Sequence, residues 1–287
     1  MNVAFSGSRQ FKKLAVRLLP ERVKARLRAP LYGYRRPEAV LPAEFASDAR
    51  GPRATIDGRL VMRFREEDRD DLLFHFVHNG ESIDEMRGFL DLAASARTFF
   101  DVGAAKSVFS ILFCLGSRER RAFAFEPSPR FVADSTALVA LNDCAAQITI
   151  RPCAVGPEAG RTVGQTFPNG FASADPQATG GEPFDLQITS LDDEVARLGV
   201  VPDLIKIDVE GFEYEVLLGA RRLLREHKPP ICLELHLNQL EQRGIAPQQV
   251  VDQLLEHGYT FRTATGRPLG ASRVAQSMNA VLRFIAA

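Results

Sequence analysis

The sequence predicts an α/β fold: a doubly wound parallel sheet, preceded by a helical and hairpin extension. Three observations predict it. From residue 98 onward, short apolar runs alternate with stretches of helical periodicity, the order that builds a parallel sheet. The central runs are apolar throughout, as strands covered by helices on both faces must be. Acids and glycines gather where those runs end, which is where sheets of this kind bind ligands.

Taken in order, the run 98–103 (TFFDVG) is the first strand and ends at an acid and a glycine. Residues 107–116 have helical spacing and stop at Gly116. The second strand is 121–127, ending at Glu126 and Pro127, and the helix 128–142 follows with Ser128 as its N-cap ahead of Pro129. The third strand is 147–155 and reaches Ala154. The fourth, 202–211, carries Asp208, Glu210 and Gly211 and leads into a single helix over 212–227. The fifth, 229–236, ends in Glu234 and His236; a helix over 246–258 and late strands at 259–265 and 279–287 complete the sheet. Residues 157–186, rich in Gly and Pro, read as a hairpin plus a long loop beside the site, and Ser190 with Asp193 cap a short helix. Upstream, 53–64 is a hairpin turning at Asp57-Gly58, and 81–95 is a helix. The expected organisation is an extension over 1–95 that caps the acceptor site and a cofactor-binding domain over 96–287.

Formal net charge is zero, so no global field recruits nucleic acid. The charge is uneven: Arg9, Lys12, Lys13, Arg17, Arg22, Lys24, Arg26, Arg28, Arg35 and Arg36 face one acid, Glu21. Two readings of this stretch stand. It is a solvated helix packed on the domain, or an interfacial helix making a peripheral contact at the inner membrane face through residues 9–36. The scattered cysteines, with no C-x-x-C, suit reduced thiols in a cytoplasmic protein. No apolar run approaches the roughly 18 residues of a membrane span, and the N-terminus lacks a signal-peptide core.

The loop after the first strand carries the cofactor question. A dinucleotide loop, G-x-G-x-x-G, needs its second glycine for close approach to a pyrophosphate. Here only Gly103 is present, with Ala105 and Val108 at the other two positions. S-adenosylmethionine (SAM) has no phosphate, so the glycine-poor loop favours it over NAD. Glu126 lies 23 residues after Gly103 at a strand end, placed to accept from a ribose diol. Asp101 can bind the cofactor's amine, directly or through water. Asp208, Glu210, Glu234 and His236 crowd one edge of the crevice. His236 or Glu210 can serve as the base that a hydroxyl acceptor needs, and Asp208, Glu210 and Glu234 can hold a divalent ion. The alternative reading of the cluster is an electrostatic network that fixes two loops.

The pieces FFDVGA, AFEPSP, AVG (154–156), TSLDDE, IKIDVEGFEYEVLLGA and PPICLELH together resemble the FkbM-type SAM-dependent methyltransferases, over about residues 80–240. The resemblance implies a class I, Rossmann-like methyltransferase fold, its doubly wound sheet mostly parallel with an antiparallel last strand. It also implies methylation of a hydroxyl on a sugar, glycolipid or polyketide-like natural product. By position, Asp101, Gly103, Ala105, Ser107, Glu126, Pro127, Ala154 and Asp208 match the cofactor side, and Asp208 and Glu210 the methyl-transfer side. The family motif has Asn and Gly where this chain has Ala105 and Ser107. If the Asn position lies at φ > 0, Ala costs roughly 1–2 kcal/mol there. That departure keeps a catalytically silent binding module in play, with an NAD-linked oxidoreductase the third alternative.

Overall fold

The computed structural model describes residues 38–175, 179–275, 277 and 281–287; the basic stretch 9–36 lies outside them. The chain opens with three short antiparallel strands, β1 (Ala43–Asp48), β2 (Gly51–Ile56) and β3 (Leu60–Arg63), with the expected turn at Asp57 and Gly58. The partner strand β1 was not expected. Helix α1 (Arg69–Leu73) runs into a π-helical turn, Phe74–His78. Helix α2 (Gly80–Ala93) starts where the Asn79 side chain accepts from the Glu81 and Ser82 amides.

Then the alternation begins: β4 (Thr98–Val102), α3 (Val108–Leu115), β5 (Arg121–Phe125), α4 (Pro129–Leu141), β6 (Ile148–Arg151). Four strands follow, β7 (Ala154–Val155), β8 (Gly160–Thr166), β9 (Ala172–Ser173) and β10 (Glu182–Thr189). The chain continues through α5 (Leu191–Leu198), β11 (Leu204–Ile207), α6 (Glu213–Leu218), α7 (Arg221–Glu226) and β12 (Ile231–Leu235). It ends with α8 (Leu237–Gln242), α9 (Pro247–Glu256), β13 (Phe261–Thr263), α10 (Ala271–Ala275) and β14 (Leu282–Ala286).

The main sheet has seven strands in the order β13-β14-β12-β11-β4-β5-β6. Strands β12, β11, β4, β5 and β6 pair in parallel; β14 runs antiparallel to both its neighbours. The expected mostly parallel class I sheet with its antiparallel last strand is therefore present. Successive side chains alternate between two apolar layers, as a pleated strand requires. Phe99, Leu204, Cys232 and Ile285 point into a layer shared with α2, α3 and the β1–β3 sheet. Phe100, Ile205, Leu233 and Phe284 point into the opposite layer, with α6, α7 and α9. All four cysteines are buried free thiols. Among the described residues, no helix is long and apolar enough to cross a membrane.

Four expectations are corrected. The strand 147–155 breaks at Pro152, which has no N–H for a ladder, so β7 joins a different sheet. Residues 157–186 hold the expected hairpin, β8 with β9, but the chain after it is not all loop: it returns as β10, which pairs antiparallel with β8 inside a four-stranded β7-β10-β8-β9 sheet. The helix over 212–227 is two helices, interrupted at Gly219, where a Cβ would sit 2.0 Å from the Gly156 carbonyl oxygen. The fourth strand stops at Ile207, because Glu210 (φ +52°) and Gly211 (φ +97°) turn the chain left-handed.

Candidate functional site

The carboxyl ends of β4, β5, β11 and β12 open into one cavity of about 620 Å³. The β7–β10 sheet supplies part of its wall through Thr162, Leu186 and Ile188, with Phe171 from the β8–β9 turn. The order β11-β4-β5 sets what lies where. The loop after β4 is central, the β5 end lies to one side and the β11 end to the other.

The central loop is built on three residues at positive φ: Gly103 (+80°), Ala105 (+44°) and Ser107 (+58°). A Cβ on Gly103 would lie 1.8 Å from the Asp208 carbonyl oxygen, so only glycine lets the β4 and β11 ends meet this closely. Ala105 holds the left-handed conformation considered for the family's Asn, and Ser107, at the family's Gly position, is left-handed as well. Ser107 is fully buried, with its hydroxyl 2.5 Å from that of Ser135.

On the β5 side, Glu126 is 5% exposed, and both its oxygens accept backbone N–H groups. Ala105 donates to Oε2 at 2.7 Å and Ser128 to Oε1 at 2.8 Å. Burial pushes its carboxyl up to about 7, against those two bonds. Gly103, Ala105, Glu126, Pro127 and Ala154 all line the cavity, as the sequence anticipated for cofactor contacts. Asp101 and Ser107 do not. Asp101 lies behind the loop, 2% exposed, accepting from Ser110 Oγ at 2.7 Å, and burial pushes it up to about 6. A direct hold on the cofactor amine is therefore corrected to a supporting position beneath the loop.

The β11 side is an ion network. Asp208, Glu210 and Glu234 reach the wall, and they come together by a route the sequence did not indicate. Glu210 is aimed by its left-handed backbone, and Gln239 donates to it at 3.0 Å. Lys206, buried inside β11, contacts Asp208 at 3.1 Å and Glu85 at 3.1 Å. Arg283 of β14 grips Glu234 at 2.5 and 3.1 Å and reaches Glu85 at 3.1 Å. Burial and the facing carboxylates of Asp208 and Glu85 push Glu234 up. The two-pronged guanidinium grip nonetheless marks it as the charged partner of Arg283. Burial also opposes charge on Asp208, but Lys206 and His236 outweigh it and hold it below the usual carboxylate range.

His236 is 3% exposed and is not on the cavity wall. Its Nδ1 lies 2.8 Å from Glu213, and its Nε2 lies 3.5 Å from Glu210 and 3.7 Å from Asp208. Burial disfavours the imidazolium, yet these carboxylates win and raise it to about 9. At neutral pH it already carries the proton that a general base must accept. The sequence reading of His236 as base is corrected to a cation that holds Glu213, Glu210 and Asp208 in place.

The metal reading named Asp208, Glu210 and Glu234; the donors that converge are Asp208, Glu234 and His236, one ligand atom of each lying within 4.8 Å of the others. But Glu234 is gripped by Arg283, Asp208 by Lys206, and His236 is itself charged. A divalent ion would enter among three cations. The set fits an internally neutralised network better than a metal centre, and no step below runs through a metal.

Sequence reasoning missed Lys206, Arg283, Glu213 and His75. Lysine and arginine inside apolar strands were a usable signal, because a buried cation demands carboxylate partners. The other two carried no local signal.

A family model described as "Methyltransferase FkbM domain" matches residues 101–261. No curated protein matches the chain. Among solved structures, a methyltransferase FkbM from Methylobacillus flagellatus KT is 18% identical with a TM-score of 0.42, covering 67% of this chain; the chain spans 43% of that protein. An O-methyltransferase from Bacillus cereus in complex with SAH is 10% identical with a TM-score of 0.41, covering 78% of this chain and 90% of that one. The O-methyltransferase TomG from Streptomyces achromogenes, in complex with SAM, is 11% identical with a TM-score of 0.42, covering 78% and 90%.

Proposed function

Because this chain belongs to the methyltransferase FkbM family, we propose that it binds SAM in the cavity and transfers its methyl group to a hydroxyl of a sugar, glycolipid or polyketide-like natural product. The observation that carries the reading is the continuity of one cavity from Glu126 to Asp208.

The residues present suit the cofactor. Glu126 is locked by two backbone donors, and each oxygen keeps acceptor capacity for a ribose diol. Val155, Phe131 and Phe171 supply apolar wall for a flat base. The carboxylates at the β11 end favour a positively charged group. When bound, SAM supplies an electrophilic methyl on a sulfonium. The protein's part is orientation. Ribose anchored beside β5 directs the methyl toward Asp208 and Glu210 beside β11. Those carboxylates, with Glu215, present acceptors to a ligand carrying several hydroxyls, which supports a glycan-like acceptor over an apolar one. Family membership displaces the oxidoreductase reading. The silent-module reading rests on Ala105, whose left-handed backbone is a specific cost in the loop.

Calorimetric titration with SAM separates the two. Wild type should bind, and Glu126→Ala should weaken binding about 10- to 100-fold, the cost of losing hydrogen bonds to a charged acceptor. Absence of binding to wild type would reject the proposal. Tritiated-methyl transfer to methyl glycosides then tests the acceptor class.

A further inference from the structure

The loop after β4 keeps two left-handed residues, Ala105 and Ser107, without the Asn and Gly that suit such a backbone. Its residues 105, 106 and 107 are each tied to a different partner. The Ala105 amide donates to Glu126 at 2.7 Å, and the Ser107 hydroxyl lies 2.5 Å from that of Ser135 on α4. Between them, the Lys106 ammonium donates to Asp68 at 2.9 Å and to Asp71 at 2.6 Å. Both acids precede the stretch matched by the family model. Asp71, on α1, is largely exposed, and its pair with Lys106 is screened by water. Asp68 closes the short helical turn Glu66–Asp68, and its side chain is only 2% exposed.

Asp68 is itself fixed. Arg65 grips both its oxygens, at 2.8 and 3.0 Å, and the same guanidinium reaches Asp134 at 2.9 Å. Asp134 and Ser135 are neighbours on α4, so the ties of Lys106 and Ser107 end on one turn of the same helix. Burial opposes charge on Asp68, but Arg65 and Lys106 outweigh it and hold it below the usual carboxylate range. The pair is therefore charged at neutral pH. Lys106 is the residue between the two left-handed positions, and a restraint there opposes relaxation of either neighbour.

We propose that Asp68 is a positioning residue for the cofactor, holding the loop 103–107 through Lys106 in the form that presents Glu126 and the Ala105 amide. The inference rests on the SAM-binding reading above. It makes the N-terminal extension part of the cofactor site. A loop that is competent only about one-tenth of the time binds its ligand about tenfold more weakly than one held in place.

Lys106→Met gives the cleanest test. It keeps the apolar stem and leaves Asp68 paired with Arg65, so no buried carboxylate loses its last cation. By calorimetry it should bind SAM about tenfold more weakly than wild type, whereas Lys106→Arg, which keeps the charge, should stay within about threefold. Adding Ala105→Asn to Lys106→Met should recover about threefold or more, because asparagine tolerates the left-handed backbone that the lost tie supported. Affinity of Lys106→Met within about twofold of wild type, or no recovery in the double variant, would reduce the pair to a tether for the extension and overturn the proposal. A second readout needs no cofactor. Hydrogen exchange at the Ala105 amide reports its bond to Glu126. It should quicken about tenfold in Lys106→Met and in Asp68→Asn, by more than any change in α4. An unchanged rate, or a change that α4 shares in full, overturns the proposal. Failure of wild type to bind SAM rejects the methyltransferase reading, and the exchange rates still decide whether Asp68 sets the loop.

Discussion

The two ends of the cavity hold their carboxylates by different means. At the β5 end, Glu126 is fixed by two backbone N–H groups within two residues of itself or in the adjoining loop. At the β11 end, Asp208 and Glu234 are fixed by Lys206, Arg283 and His236, side chains drawn from three strands and their ends. A backbone cradle is set once the loop folds and has no titratable donor. An ion network depends on several protonation states at once, and each member's charge is decided by the others. Substitutions at the first end should therefore act through shape, and those at the second through pH.

The largest effect should come from Gly103→Ala. The new Cβ would lie 1.8 Å from a backbone oxygen at φ +80°, and no side chain can yield to relieve it. We expect a loss on the order of 3 kcal/mol or more in urea unfolding, from left-handed strain plus overpacking, and no detectable SAM binding by calorimetry. A variant of unchanged stability would show that the β4 and β11 ends do not need this contact. His236→Gln comes next. Removing one partner from a buried ion pair leaves Glu213 uncompensated and should cost about 3 kcal/mol. Here pH gives the sharper signature. His236 is raised from 6.5 to about 9 in the folded state. Its stabilising contribution is complete below the unfolded value and is lost as pH rises through the folded one. Wild-type stability should fall between about pH 6.5 and 9, and the difference from His236→Gln should shrink over the same window. The difference between the two proteins isolates the histidine. A difference independent of pH would mean that His236 is not held as a cation.

The same contrast explains what could be read from the sequence. The apolar runs of β4, β5, β11 and β12 betrayed strands because both faces are buried. Glu126 was legible because its loop, spacing and strand end are all local. At the other end, residue types were legible but their states were not. His236 reads as a base until Glu213, 23 positions earlier and on α6, is found 2.8 Å from it. Nothing local in FHFVH marks His75 as a cavity residue, since the π-helical turn and the strand ends it faces meet only in the folded sheet. The wall formed by β10, in the part read as a long loop, was hidden for a different reason. Glycines and prolines masked the alternation, while the pairing that stabilises the strands spans residues 160–188.

Ala105 makes the smallest and most discriminating test. It sits at φ +44°, where an L-residue pays about 1–2 kcal/mol. Ala105→Gly removes that strain but returns about 0.4–1 kcal/mol of chain entropy to the unfolded state, so the net gain should be on the order of 0.5 kcal/mol. Ala105→Asn, which tolerates the left-handed region without the entropy penalty of glycine, should match or exceed it. Thermal unfolding should rise by about 1–2 °C in either variant. Ser107→Gly should not show the gain, although it sits at φ +58°, because the Ser135 contact is lost with the hydroxyl. The cofactor decides what the strain is for. The Ala105 amide donates to Glu126 at 2.7 Å. If that bond sets the loop, relieving the strain should stabilise free and bound forms alike, and SAM affinity should change by less than about threefold. An affinity that tightens by tenfold would mean that the free loop occupies other conformations and that SAM binding must draw it into this one.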